Sequence, residues 1–109
     1  MLEALFGSVN RERVLLFLYG QKEGYAREIA RFFNTSLDPI QKQLERLELG
    51  GILYSRAVGK TRLYALNPRY PFLKELTALL EKSLVFYPTE KREDLTMVRR
   101  RPRRKGKPL

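Results

Sequence analysis

The stretch "YAREIARFFNTSLDPIQKQLERLELGG", Tyr25 to Gly51, decides how this chain is read. Its apolar residues fall at helical spacing in two blocks separated by a short polar break. The first block, Tyr25 to Phe33, puts Ile29, Ala30 and Phe33 on one side, and Asn34 ends it. The second opens on Thr35-Ser36. Either hydroxyl suits a helix N-cap, and Asp38 completes a capping box if Thr35 is the cap. Pro39 follows in the first turns, where a missing N–H is tolerated. Leu37, Ile40, Leu44 and Leu47 then recur at three- and four-residue steps, and Gly50-Gly51 stops the helix. A short helix, a tight turn and a longer helix with its stripe inward make a helix-turn-helix unit.

In such a unit the second helix turns its outer face to the DNA major groove. With the stripe inward, the outward face holds Thr35, Asp38, Pro39, Lys42 and Arg46, flanked by Gln41 and Gln43. Glutamine pairs bidentately with adenine and lysine reaches guanine acceptors. The plain alternative is a solvated face on an ordinary surface helix.

Upstream, Ser8 caps a helix that carries Val14, Leu15 and Leu18, and Gly20 and Gly24 bracket a break. Downstream the period changes. "ILYSRA" and "TRLYAL" are strand-like runs around Val58-Gly59-Lys60, a hairpin signature. A turn centred on Gly59 pairs Tyr54 with Tyr64 and Arg56 with Arg62. Two arginines directly opposite repel, and with Lys60 at the tip the hairpin favours a phosphate backbone. Basic residues also protect sheet edges from aggregation, which is the plainer explanation. Asn67-Pro68 ends the second strand. Tyr70 to Leu84 is helical, with Leu73, Leu76 and Leu80 on one face and Phe72 and Leu79 widening it. The order is helix, helix, helix, hairpin, helix, tail.

Gly59-Lys60-Thr61 matches the end of a nucleotide-binding P-loop. That motif needs a glycine five positions before its last one, and Tyr54 stands there. It must also lead into a helix, whereas "RLYALNP" is a strand pattern ending in proline.

With 109 residues the chain fits one domain. It has neither cysteine nor histidine, which excludes disulfides, thiolate or imidazole metal sites, and catalytic triads in their ordinary forms. No carboxylate cluster suggests an enzyme, a metal or a cofactor. Net charge is +10, from 22 Lys+Arg against 12 Asp+Glu. Seven of the basic residues lie in "RRRPRRKGK", Arg99 to Lys107, which leaves fifteen basic and twelve acidic side chains elsewhere. This imbalance points to a polyanion partner. From Thr89 on polarity dominates, so residues 89–109 are expected to form a polar, strongly basic tail after a folded part spanning 1–88. No apolar run approaches a membrane span and the N-terminus lacks signal-peptide features; no membrane is expected, and the cytoplasm is the default compartment.

Together "LFGSVNRERVLLFL", "YAREIARFFNTSLDPIQKQLERLELGGIL", "SRAVGKTRLYALN" and "YPFLKEL" resemble the winged helix-turn-helix domains of ArsR-type transcriptional regulators. The likeness spans roughly residues 2–86 and is strongest to small archaeal and bacterial variants, some of which accompany nucleotidyltransferase-like proteins. It implies a mainly α fold with a β-hairpin wing, acting as a homodimer on double-stranded DNA. Base contacts carry over to Ser36, Asp38, Gln41, Lys42 and Gln43. Wing contacts with phosphate carry over to Arg56, Lys60 and Arg62. Many members have histidine where Lys42 stands, and metal-sensing members use Cys and His, so metal sensing of that kind does not carry over.

Further phosphate contacts are expected from Thr35 and Arg46, and from the tail residues Arg99, Arg100, Arg101, Arg103, Arg104 and Lys105. Leu2, Leu5, Phe6, Phe72, Leu79, Leu84 and Phe86 exceed what a small helical body covers, and are expected to form a dimer seam between terminal helices. The alternative function is an adaptor or RNA-binding module that accompanies a separately encoded enzyme.

Overall fold

A computed structural model describes residues 1–96; the tail arginines and Lys105 lie outside the described residues. Six helices and three strands follow in the order α1 (Glu3–Phe6), α2 (Val9–Gln21), β1 (Glu23–Tyr25), α3 (Ala26–Phe32), α4 (Leu37–Leu49), β2 (Leu53–Val58), β3 (Thr61–Leu66), α5 (Leu73–Leu84) and α6 (Thr89–Thr96). The sheet is antiparallel, with β3 between β1 and β2.

The central helix is α2. Ser8 caps it, its hydroxyl accepting from the Arg11 N–H at 3.2 Å. Val14, Leu15, Leu16, Phe17 and Leu18 are all buried, so this helix is wrapped on nearly every side. Its neighbours each contribute one face: Ile29 and Ala30 from α3, Ile40, Leu44 and Leu47 from α4, Leu53 and Tyr64 from the sheet, Leu80 and Leu84 from α5. The Phe17, Phe32 and Phe33 rings stack edge to face at 5.4 and 4.8 Å, a favoured geometry for aromatic pairs.

The turn between α3 and α4 is as short as the sequence indicates. Asn34 takes a left-handed φ of 54°, which asparagine tolerates better than most residues, and the Thr35 N–H returns to the Ala30 carbonyl at 2.9 Å. Ser36 is the α4 N-cap, without a side-chain bond to the helix. Asp38 therefore completes no capping box; its carboxylate pairs with Lys42 instead, at 3.4 Å.

Four expectations are corrected. Gly20 does not end α2 but sits inside it, and the short strand β1, which the composition hid, follows one residue after the helix. The hairpin register is shifted by one: Tyr54 pairs with Ala65, Ser55 with Tyr64, Arg56 with Leu63 and Ala57 with Arg62. Val58 pairs with Thr61, so Gly59 and Lys60 alone make the turn, with Gly59 at φ +62°. A two-residue turn with glycine first matches the strand twist, and the one-residue slip moves Arg56 and Arg62 to opposite faces. Their mutual repulsion disappears.

The third correction concerns residues 89–96, which are not tail. They form α6, which runs alongside α2 in the same direction. At one end the Tyr87 hydroxyl donates to Glu12 Oε2 at 2.6 Å. At the other, Gln21 Nε2 donates to the Leu95 carbonyl at 2.8 Å. Leu95 is fully buried, and a Cβ at Gly20 would collide with the Leu95 carbonyl. The glycine is thus a notch in α2 that receives α6. Lastly, Leu84 belongs to the core of a single chain and is not available for a seam.

Candidate nucleic-acid interface

Helix α4 is positioned by its buried stripe, Ile40, Gln43, Leu44 and Leu47. The opposite line of the helix, Asp38, Lys42, Glu45 and Leu49, is exposed, as are Ser36 and Arg46; Thr35 and Gln41 are half-buried. Gln43 is the exception among the expected base readers. It is 9% exposed, and its Oε1 accepts from Arg11 Nε at 2.9 Å. The reason was present in the sequence: residues 40, 43, 44 and 47 are one turn apart on a single face. Arg11 also donates through Nη1 to the Phe6 carbonyl at 2.9 Å, so one guanidinium ties α1, α2 and α4 together.

The wing packs against the second half of α4. Cross-strand partners share a face, so Leu53, Ser55, Tyr64 and Leu66 look towards the core and α4, while Ala57 and Arg62, further along the same face, are exposed. Ser55 Oγ donates to Glu48 Oε2 at 2.7 Å and accepts from Arg62 Nε at 2.8 Å, while Arg62 Nη2 donates to the Ser55 carbonyl at 3.4 Å. Burial pushes the Tyr64 phenol above its usual range, and the Glu48 and Glu45 carboxylates add to that, against a hydrogen bond with Gln41. A polar seam of Gln41, Glu45, Glu48, Ser55, Arg62 and Tyr64 therefore joins the helix to the wing. Arg56 is on the other face, 3.7 Å from the Glu23 carboxylate, spanning β3 to reach β1. Lys60 is exposed at the tip.

Two cations passed over in the sequence are also placed here. Arg27 and Arg31 are one turn apart on the exposed side of α3; in helix-turn-helix complexes generally, the first helix crosses the DNA backbone. Their i,i+4 spacing was the available signal.

The candidate seam residues divide. Leu5, Phe72, Val85 and Phe86 are exposed, while Leu2 and Phe6 pack partly on the core and Leu79 is half-buried. Deeper in, Glu12 is 2% exposed. Burial raises its pKa, but hydrogen bonds from Tyr87, the Leu2 backbone and the amino terminus outweigh burial and hold the carboxyl below its usual range. Tyr87 is raised by the same burial and by Glu12. Among the described residues there is no group of three or more acidic side chains able to hold a metal ion, and no helix is long and apolar enough to cross a membrane.

No protein-family model and no curated protein matches the chain. Solved structures do. YusO from Bacillus subtilis is 19% identical with a TM-score of 0.58, covering 84% of this chain and 72% of that one. The C30AH42A mutant of Lactococcus lactis ZitR is 18% identical with a TM-score of 0.54, covering 82% and 68%. The adhesin competence repressor AdcR from Streptococcus pyogenes is 17% identical with a TM-score of 0.54, covering 86% and 79%. At these identities the likeness speaks for the fold. Among the described residues, six helices, a three-stranded antiparallel sheet and a helix pair leading into a hairpin make up a winged helix-turn-helix domain.

Proposed function

We propose that the protein is a sequence-specific, DNA-binding transcriptional regulator that acts as a homodimer. The observation that carries this is the exposed line of α4: Ser36, Asp38 and Lys42, with Gln41 at its edge, project from a helix whose other side is locked into the core. Groups on a rigid helix are suited to reading base edges in the major groove. Arg46, Lys60 and Arg62, Arg56 on the outer face of the wing, Thr35 before α4 and the basic residues Arg99 to Lys105 supply phosphate contacts, which add affinity without sequence preference. Leu5, Phe72 and Phe86 supply the apolar seam for a second copy, consistent with the two-fold symmetry usual for such oligomers. One neighbour in fold is itself called a repressor.

Leu49, 90% exposed at the end of the same line, favours a second reading, in which this face takes a partner protein or RNA. The deciding experiment is selection of bound sequences from random double-stranded DNA, repeated with RNA at matched salt. Enrichment of one DNA sequence supports the regulator; equal or better enrichment from RNA, or none from either, supports the adaptor.

A further inference from the structure

Arg62 is an exposed cation whose direction is set by its neighbours. Ala57 pairs with it directly across the hairpin, and Ser55, paired with Tyr64, is its diagonal neighbour on the same face. The small Ala57 leaves the arginine room to lie back towards Ser55. Arg62 Nε donates to Ser55 Oγ at 2.8 Å, and Nη2 donates to the Ser55 carbonyl at 3.4 Å. The serine hydroxyl in turn donates to Glu48 Oε2 at 2.7 Å, in the last turn of α4. A hydroxyl has one proton. Glu48 takes it, so the lone pairs of Ser55 are left for the guanidinium. Among the described residues Arg62 has no acidic partner, so its charge is undiminished. Arg56, on the other face, differs on this point, since it lies 3.7 Å from Glu23.

We propose that Ser55 is a positioning residue that aims Arg62 at a phosphate of the duplex read by α4. This rests on the proposed function and deepens it. Ser55 occupies the side of the guanidinium formed by Nε and Nη2. The end formed by Nη1 and the second Nη2 proton is left as a planar fork, which matches two oxygens of a phosphate. An exposed arginine ordinarily loses rotamer freedom when it is captured by a partner. Here much of that loss is already incurred within the wing. Because Glu48 belongs to α4, the same chain of hydrogen bonds ties the direction of Arg62 to the helix that reads bases. A phosphate gripped there fixes the register of α4 along the groove.

The test uses the full chain and its Ser55→Ala, Ser55→Thr and Arg62→Ala variants, together with the Ser55→Ala, Arg62→Ala double variant. Affinity for the selected duplex is measured by fluorescence anisotropy across a range of salt. Immobilising a free side chain costs about two- to twelvefold in affinity. Ser55→Ala is expected to lose that much with the salt dependence unchanged, because the charge is still present to pair. Arg62→Ala is expected to flatten the slope by about 0.9. In the Arg62→Ala background, Ser55→Ala is expected to cost nothing further. Ser55→Thr keeps the hydroxyl and is expected to recover most of the affinity that alanine loses. In the free protein, NMR should show the Arg62 Nε proton exchanging slowly, and faster in Ser55→Ala. An equal loss with and without Arg62, no loss at all, or an Nε proton no better protected than in Ser55→Ala would overturn the proposal. Failure of the regulator reading is visible separately, as enrichment of no duplex by the unmodified chain, and it refutes this proposal with it.

Discussion

Helices α4 and α6 are both short, polar on the outside and packed on α2, yet they are held by different physics. Four buried residues at helical spacing anchor α4. One buried leucine anchors α6, helped by a notch at Gly20 and by hydrogen bonds at its two ends. Isolated helices of this length are marginal in water, so each depends on its contacts. The first is fastened by apolar area spread along the helix. The second is fastened by shape and by single polar contacts, which are cheap to remove one at a time. A surface that must read base edges needs the rigid kind of attachment.

The contrast can be broken first at α4. Leu44→Ala removes a fully buried side chain from the shared core, and is expected to cost about 2–5 kcal/mol of global stability, read by chemical denaturation. A loss under 1 kcal/mol would mean that α4 is not anchored as described.

Gly20→Ala attacks α6 alone. The new methyl meets the Leu95 carbonyl, while alanine gains about 1 kcal/mol over glycine in a helix interior. The expected outcome is rapid hydrogen exchange confined to residues 89–96, with global stability changed by no more than about 1 kcal/mol. Loss of protection throughout the core would show α6 to be integral rather than strapped on.

The polar fastening should also be sensitive to acid. The Glu12 carboxyl is held below its usual value of 4.5 in the folded protein. Its contribution is therefore fully present above the unfolded value and lost as pH falls through the lower folded one. Thermal scans between pH 7 and pH 3 should show a steeper decline for the unmodified chain than for Tyr87→Phe, which deletes the strongest of the bonds that lower the Glu12 pKa. Parallel declines would remove Tyr87 from the account.

The smallest effect belongs to the reading surface. Both members of the Asp38–Lys42 pair are largely exposed, and such i,i+4 pairs are worth about 0.3–0.5 kcal/mol. Lys42→Ala should leave the melting temperature within about 2 °C while reducing preference for the selected duplex. A large change in melting would make Lys42 structural and disqualify it as a reader.

Much of this was legible before any coordinates. The helix pair, the short turn at Asn34, the Ser8 cap, the Gly50-Gly51 stop and the wing all follow from local rules: apolar period, hydroxyl caps and glycine at special backbone angles. Gln43 was legible too, since its spacing puts it on the inward stripe despite its polar side chain. The hairpin register was not, because two candidate turns one residue apart differ only in how Gly59 is used, and the outcome depends on the twist of the strands it joins. Neither β1 nor α6 could be read locally. Glu23–Tyr25 becomes a strand because β3 offers an edge to pair with. "TEKREDLT" becomes a docked helix because Gly20, Gln21 and Glu12, some seventy residues away along the chain, offer it a notch and two fastenings. Local periodicity determined the elements that bury a stripe. Tertiary structure alone decided those whose partners are distant, because a single leucine and a missing Cβ leave no period in a sequence.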